Sequence, residues 1–324
     1  MSIEQLNQIW EQYPRHFLDR KCYTQKSIME DNIQLQSILE KASSNRFVQF
    51  WKKHTLQQSD AGAIGELSKV VVEAALPELV GREMCWVVET TESKVRFPRA
   101  IKGKAQARIV GGTGQVEIIP ERMDFIDIEA DTEIIASSAY TDAYLEDAAW
   151  PAVRRATEEA GRSVAEKETE LIVEKFDSIS NSDLAGGAQI TLSNPCTMDN
   201  LIDIITNVRK EDFIPDKVFM NPAQFGELKK DDTFIDSLKW GELLDKERGE
   251  MARMIDGVRI FVSSKINAQK VYAIDSRWAC GLVIRRDLII EPFDKRDQLI
   301  SGVIASSRIG VRILRSKAVA RGAR

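Results

Sequence analysis

Four acidic residues recur along one predicted strand, and of all residues in this chain they most resemble a reaction centre. They are Asp124, Asp127, Glu129 and Asp131. Carboxylates grouped in this way can hold a divalent cation or hydrolyse a glycoside. Apolar residues at 125, 126 and 128 lie between them, which is typical of a strand with one polar face. We therefore favour a strand at a surface or an interface over a catalytic cluster.

The groups that most enzymes combine with such carboxylates are scarce. Both histidines, His16 and His54, lie in the first 60 residues, whereas Ser-His-Asp and Cys-His catalysis need a histidine beside the nucleophile. The four cysteines are widely separated, which predicts free thiols and no zinc or disulfide framework. The run GGTGQ at 111–115 lacks the lysine of a P-loop and is predicted to be a loop tip. The sequence therefore predicts no catalytic, cofactor-binding or metal-binding residue, and no enzyme.

The composition is that of a chain with its own hydrophobic core. It has 324 residues, of which 43% are hydrophobic and 29% charged, and a net charge of −5. This length predicts about two domains, and the negative charge argues against a basic coat for nucleic acid. No apolar run approaches the length of a membrane span, and the first residues are polar and acidic, unlike a signal peptide. We expect a soluble protein that is made in the cytosol and contacts no membrane.

Residues 1–60 are polar and interrupted. Ile28, Leu35, Ile38 and Leu39 recur at helical spacing, and Pro14 and the run at 43–45 break the pattern. This segment is predicted to be an extended arm with one or two amphipathic helices, because it has too little apolar content for a core. The alternative is a small helical subdomain packed on the body.

A helix predicted from 61 to 80 leads into a long two-stranded excursion. The run at 85–101 is predicted to be a strand, 101–115 a glycine-rich turn region, and 116–131 the returning strand. Because an isolated hairpin is only marginally stable in water, we expect this one to lie on a neighbouring subunit.

A helix is predicted from 141 to 176, far longer than the mean of about 11 to 12 residues. Its apolar stripe comprises Val153, Ala156, Ala160, Val164 and Leu171. Pro151 predicts either a kink or a second helix start.

Two regions of opposite charge follow one another along the chain. Six basic residues and no acid lie between 93 and 116: Lys94, Arg96, Arg99, Lys102, Lys104 and Arg108. Six acids lie on the predicted long helix: Glu158, Glu159, Glu166, Glu168, Glu170 and Glu174. Opposite charges on one chain suit head-to-tail association, with the loop of one copy on the helix of the next. The alternative is that both are solvated charged faces.

The second half of the chain alternates helices and strands. After a turn-rich boundary at 178–195 come a helix at 197–210, a strand at 216–220, a helix at 222–230 and strands near 257–264, 270–275 and 280–293. The last segment is predicted to be a strand that returns to the first domain. It carries a basic cluster that could face DNA or a neighbour: Arg308, Arg312, Arg315, Lys317, Arg321 and Arg324.

The order of these elements, above all in 116–176, 216–231 and 257–322, resembles the major capsid proteins of tailed phages and their archaeal counterparts. The resemblance implies the α+β Hong Kong 97-like capsid fold. Its parts would be an N-terminal arm at 1–60, a leading helix at 61–83, an extended loop at 84–120, a peripheral domain with a spine helix at 121–178 and 290–324, and an inserted α/β axial domain at 179–289. In that family the extended loop overlies the adjacent subunit, so the twelve charged residues above become candidate contacts between subunits.

The resemblance also implies a function. The chain would be a structural subunit that assembles with itself through pentamers and hexamers into an icosahedral shell around double-stranded DNA. Portal proteins and scaffolding or decoration proteins are the implied partners, DNA contact is weak and non-specific, and the location is the virion, assembled in the host cytoplasm. The alternative is an encapsulin, a shell of the same fold that encloses cargo enzymes. An enzyme that uses the carboxylates at 124–131 fares worst, because bases and nucleophiles are missing.

Overall fold

The described residues form a four-stranded, a six-stranded and a small two-stranded β-sheet, and a long helix connects the two larger sheets. The computed structural model describes residues 45–55, 60–99, 124–147, 150–231, 254–255 and 257–324. Its α-helices are α1 (Arg46–Thr55), α2 (Asp60–Ala75), α3 (Asp142–Asp147), α4 (Trp150–Asp177), α5 (Met198–Lys210) and α6 (Pro222–Leu228). Its strands are β1 (Trp86–Glu89), β2 (Lys94–Arg99), β3 (Asp124–Glu129), β4 (Thr132–Thr141), β5 (Ile190–Thr191), β6 (Lys217–Met220), β7 (Met254–Ile255), β8 (Val258–Val262), β9 (Lys270–Ile274), β10 (Cys280–Lys295), β11 (Ile300–Ile313) and β12 (Val319–Ala323).

The first sheet has the strand order β1–β10–β11–β4. Strands β10 and β11 form a long antiparallel hairpin, from the pair of Cys280 with Ile313 to the pair of Lys295 with Ile300. Strand β1 joins β10 in parallel, so residues 86–89 belong to this sheet and not to the extended loop predicted to begin at 84. Met84 and Cys85, directly before the strand, are packed in the core and bring the chain to this sheet edge, although the strand itself is mostly exposed.

Helix α4 has 28 residues and packs across β4 and β11. The helix predicted from 141 is two helices, α3 and α4, and Pro151 marks the second start. A proline is tolerated there because the first N–H groups of a helix have no partner within it. The buried stripe includes Val153, Ala160 and Val164 as predicted, whereas Ala156 is exposed.

The second sheet has the order β5–β12–β9–β6–β8–β7. Helices α5 and α6 cover one face, and the predicted helices and strand near 197–230 are present. Along β9, Val271 and Ala273 pack toward α5, while Tyr272 and Ile274 pack toward α4. Both faces of this sheet are therefore buried, which is why its central strands are almost wholly apolar.

Near its C-terminus the chain passes from the first sheet to the second, and this corrects two predicted domain boundaries. Strand β10 begins at Cys280 in the first sheet, although 179–289 was predicted to form the axial domain. Strand β12 lies between β5 and β9 in the second sheet, although 290–324 was predicted to be peripheral. The Leu314 N–H donates to the Ala279 carbonyl at 2.9 Å, and the chain crosses between the sheets directly after this bond.

Helix α1 packs on the body, so the extended arm predicted for 1–60 is wrong for residues 45–55. Phe47, Val48 and Trp51 are buried against α2, α4 and the hairpin of β10 and β11. These apolar residues lie on one helical face. Residues 1–44 lie outside the described residues. No helix in the described part of the chain is long and apolar enough to span a bilayer.

Candidate subunit interface

The hairpin of β2 and β3 sets basic residues opposite acidic ones. Its register forms three pairs of opposite charge, Lys94 with Glu129, Arg96 with Asp127, and Arg99 with Asp124. The Lys94 Nζ lies 3.1 Å from Glu129 Oε1 and 3.3 Å from Asp127 Oδ2. The Arg96 Nε donates to Asp127 Oδ1 at 3.1 Å. Two acids that resembled a reaction centre thus neutralise basic side chains of the opposite strand.

The pKa values follow this pairing. Hydrogen bonds from Arg96 and Lys94 hold the pKa of Asp127 below its ordinary value. Hydrogen bonds to Glu129 and Asp127 raise the pKa of Lys94. Asp127 and Lys94 are therefore charged at neutral pH. Among the described residues, no group of three His, Cys, Asp or Glu side chains could hold a metal ion.

Glu168 was predicted to contact a neighbouring subunit, and its position in the structure corrects that prediction. Its side chain is 1% exposed and binds Arg82, with Arg82 Nε donating to Glu168 Oε1 at 2.6 Å. Arg82 also donates to Asp287 Oδ1 at 2.7 Å. Burial lowers the pKa of Arg82, but the hydrogen bond to Glu168 and the charges of both carboxylates raise it overall. Glu168 is therefore part of the core and cannot contact a neighbouring subunit.

Four of the other acids form ion pairs within the chain. The pairs are Glu158 with Arg154, Glu159 with Arg162, Glu166 with Lys265, and Glu170 with Lys167 and Lys265. Lys265 follows β8, and its Nζ lies 2.7 Å from Glu166 Oε2, so this pair connects α4 to the second sheet. Glu159 and Glu174 are the acids of this set that are exposed.

A cleft of about 750 Å³ lies between the β2–β3 hairpin, the end of α4 and β11. The helix contributes Leu171 and Lys175 to its lining, and β11 contributes Arg312. Glu170 and Glu174 do not line the cleft. Its wall is thus of mixed charge and not acidic. Lys102, Lys104 and Arg108 lie outside the described residues, and the side chain of Arg99 is likewise not described.

The sequence profile of the phage capsid family matches residues 65–323. The chain belongs to the phage capsid family. The match covers both sheets and the long helix, which are also the elements that carry the sequence resemblance. No curated protein sequence matches this capsid protein.

Solved structures share the fold of this capsid protein at low sequence identity. The virus-like particle of Pyrococcus furiosus is 16% identical with a TM-score of 0.52, over 78% of this chain and 97% of that chain. The capsid of cyanophage P-SCSP1u is 15% identical with a TM-score of 0.56, over 74% and 86%. The SrpI encapsulin of Synechococcus elongatus PCC 7942 is 12% identical with a TM-score of 0.52, over 76% and 86%. The predicted Hong Kong 97-like fold is confirmed, and the family is one of structural shell proteins.

The basic cluster near the C-terminus of this capsid protein is engaged within the subunit. Arg308 and Arg312 donate to backbone carbonyls, Arg315 lies over two aromatic rings, and Lys317 and Arg324 pair with Glu211 and Glu227. Arg321 is 5% exposed and donates to the carbonyls of Phe176, Asp177 and Ile179. It therefore holds the end of α4 against β12. These partners could not be predicted from the sequence pattern, because they come from distant elements.

Proposed function

We propose that this capsid protein is the major structural subunit of a virion, and that it assembles through pentamers and hexamers into an icosahedral shell around double-stranded DNA. The family match across 65–323 carries the proposal. Repetition of one contact around closed symmetry lets identical chains form a shell. Portal proteins and scaffolding or decoration proteins are the further partners that we propose, with the virion as the location and the host cytoplasm as the place of assembly.

The contact that we propose joins the loop of one subunit to the long helix of the next. Lys94 and Arg96 already have partners across their own hairpin, so the basic side of this contact shifts to Lys102, Lys104 and Arg108. On the helix, Glu159 and Glu174 are the exposed acids and the proposed receiving residues; the pair of Glu159 with the exposed Arg162, at 3.5 Å, is longer than those of Lys94 and Arg96. Exposed pairs are worth only about 0 to 1 kcal/mol each, so the contact acts through repetition around a ring.

Reversing the charge of Lys102 and Lys104 to Glu is expected to slow assembly several-fold, because charge complementarity steers association. Light scattering at low salt measures the rate. Circular dichroism should show a folded subunit, because neither lysine is among the apolar residues that form the described hydrophobic clusters.

Rescue is the demanding part of this test. Reversing Glu159 and Glu174 to Lys in the same chain should recover part of the rate. Glu166 and Glu170 are unsuitable for rescue, because a lysine at either position would lie against Lys265. A matched control reverses Lys229 and Lys230 to Glu. These two lysines directly follow α6, on the face of the second sheet that the helices cover. Wild-type rates in the loop variant would mean that the basic stretch is only a solvated loop.

An encapsulin is the second candidate, and the likeness to the SrpI encapsulin favours testing it. The two functions differ in what the shell encloses. Particles purified from the native source and treated with nuclease should retain double-stranded DNA if the proposal is right. Protected DNA held by a weakly binding wall is the expected state, because the C-terminal arginines are occupied by partners in the subunit. Particles that hold a protein cargo and no DNA would overturn the viral assignment.

A further inference from the structure

Two of the cysteines that the structure describes lie side by side, although they are far apart in the sequence. Strand β1 pairs in parallel with β10, and Trp86 lies opposite Gly281. Cys85, directly before Trp86, has extended backbone angles, with φ −124° and ψ 157°, so it continues the line of the strand by one residue. Cys280 is the first residue of β10. The register therefore places Cys85 opposite Cys280.

The side chains of the two cysteines lie on the same face of the first sheet. Successive side chains of a strand point to opposite faces. On one face, the Trp86 ring packs edge-on against Phe97, and a Cβ added at Gly281 would lie 3.3 Å from the same ring. Cys85 and Cys280 face the other side, where both belong to the hydrophobic cluster that includes residues of α4. Cys85 is 7% exposed and Cys280 is fully buried.

The spacing of the two thiols suits a covalent bond. Paired strands lie about 4.8 Å apart, and the Cα atoms of a disulfide usually lie about 4.4 to 6.8 Å apart. Burial raises the pKa of the Cys85 thiol, and a hydrogen bond with Cys280 raises it further, so the thiols are in contact. We propose that Cys85 and Cys280 form a disulfide when the protein meets a peroxide, and that both are free thiols in a reducing medium.

The reaction is a two-electron oxidation in which hydrogen peroxide is reduced to two water molecules. One cysteine loses its proton and attacks a peroxide oxygen as the thiolate. The O–O bond breaks, and the hydroxide that leaves takes up the proton to give water. The second thiol then attacks the resulting sulfenic acid, which forms the S–S bond and releases the second water.

The position of β1 gives the oxidant a route to these buried groups. The raised pKa of Cys85 makes its thiolate rare, so oxidation is slow while the sheet is closed. Strand β1 has four residues, lies at the edge of the first sheet and is mostly exposed. Such a strand opens locally at low cost, and its opening uncovers Cys85. The disulfide would then fix the start of β1 to β10.

Peptide mapping of the full wild-type chain tests this proposal. The reduced protein is treated with hydrogen peroxide, unfolded, alkylated with iodoacetamide and digested without a reductant. The expected product is a peptide containing Cys85 joined to one containing Cys280. A Cys22→Ser, Cys196→Ser variant, which keeps only this pair, should give the same linked peptide in a species that migrates as a monomer.

Thermal unfolding provides a second measurement. The Tm of the oxidised protein should be about 4 °C above that of the reduced protein, because a disulfide restricts the unfolded chain. The matched control is Cys85→Ala, in which peroxide should cause no such rise.

Three results would overturn the proposal. They are alkylation of both cysteines, their conversion to sulfinic or sulfonic acids without a linked peptide, and a Tm that does not rise when the disulfide forms. The mapping needs no substitution in the core, so a variant that fails to fold does not affect it. None of these results bears on whether the protein forms a shell.

Discussion

Replacing Glu168 by alanine is expected to lower the stability of the subunit by about 3 kcal/mol, the low end of the cost of breaking a buried ion pair. Arg82 would remain buried with only Asp287 as a carboxylate partner, at 2.7 Å. For a chain of this size the loss corresponds to a fall in Tm of roughly 4 °C. Differential scanning calorimetry of the unassembled subunit measures the change.

Glu159→Ala is the matched control for Glu168→Ala, because it removes a carboxylate from the same helix at an exposed position. Its Tm should lie close to that of the wild type, since exposed ion pairs contribute little. Equal Tm values for the two variants would contradict the assignment of Glu168 to the core. Glu168 would then again be a candidate for contact with a neighbouring subunit.

Substituting Gly161 by alanine is expected to cost about 2 kcal/mol, within the range for overpacking a tight core. A Cβ at this position would overlap Val71 Cγ1 and lie 2.9 Å from the Val71 carbonyl oxygen. Helices α2 and α4 would have to separate at the point where they touch. Urea unfolding of the unassembled subunit measures the cost.

A second substitution shows whether the clash with Val71 is the cause. In the double variant with Val71→Ala, the loss should be smaller than the sum of the two single losses by about 1 kcal/mol, because the atom that clashes is gone. Gly226→Ala is the control, since no atom lies within 4 Å of its added Cβ and alanine favours a helix. Additive losses in the double variant would mean that the two helices do not pack as described.

The sequence predicted the fold class better than it predicted the contacts between residues. Helical and strand periodicity predicted α5 and β6 and the order of elements that identifies the family. It could not show which residues of β2 lie opposite which residues of β3. The 24 residues at 100–123 separate the two strands, so the spacing in the sequence does not set their register. Periodicity also failed to place β12. Alternation of apolar and polar residues shows which face of a strand is buried, but it does not show which sheet the strand joins.

Charge was the weakest guide to the interface. Glu168 has the same side chain as its neighbours on the helix, and only the position of Arg82, 86 residues earlier, shows that it is buried. The C-terminal arginines likewise formed a basic cluster in the sequence, yet the structure divides them among separate partners. Local charge density predicts a surface only when the elements that pack against it are known.

Electron cryomicroscopy of the assembled protein tests the central claim most directly. The account predicts closed icosahedral shells built from pentamers and hexamers, with residues 100–123 of each subunit lying over the long helix of its neighbour. Density that joins Lys102 and Lys104 to the region of Glu159 and Glu174 would identify the proposed contact. Only monomers or open, unclosed aggregates, across a broad range of salt and protein concentration and with helper proteins supplied, would contradict the assignment of this chain as a self-assembling shell subunit.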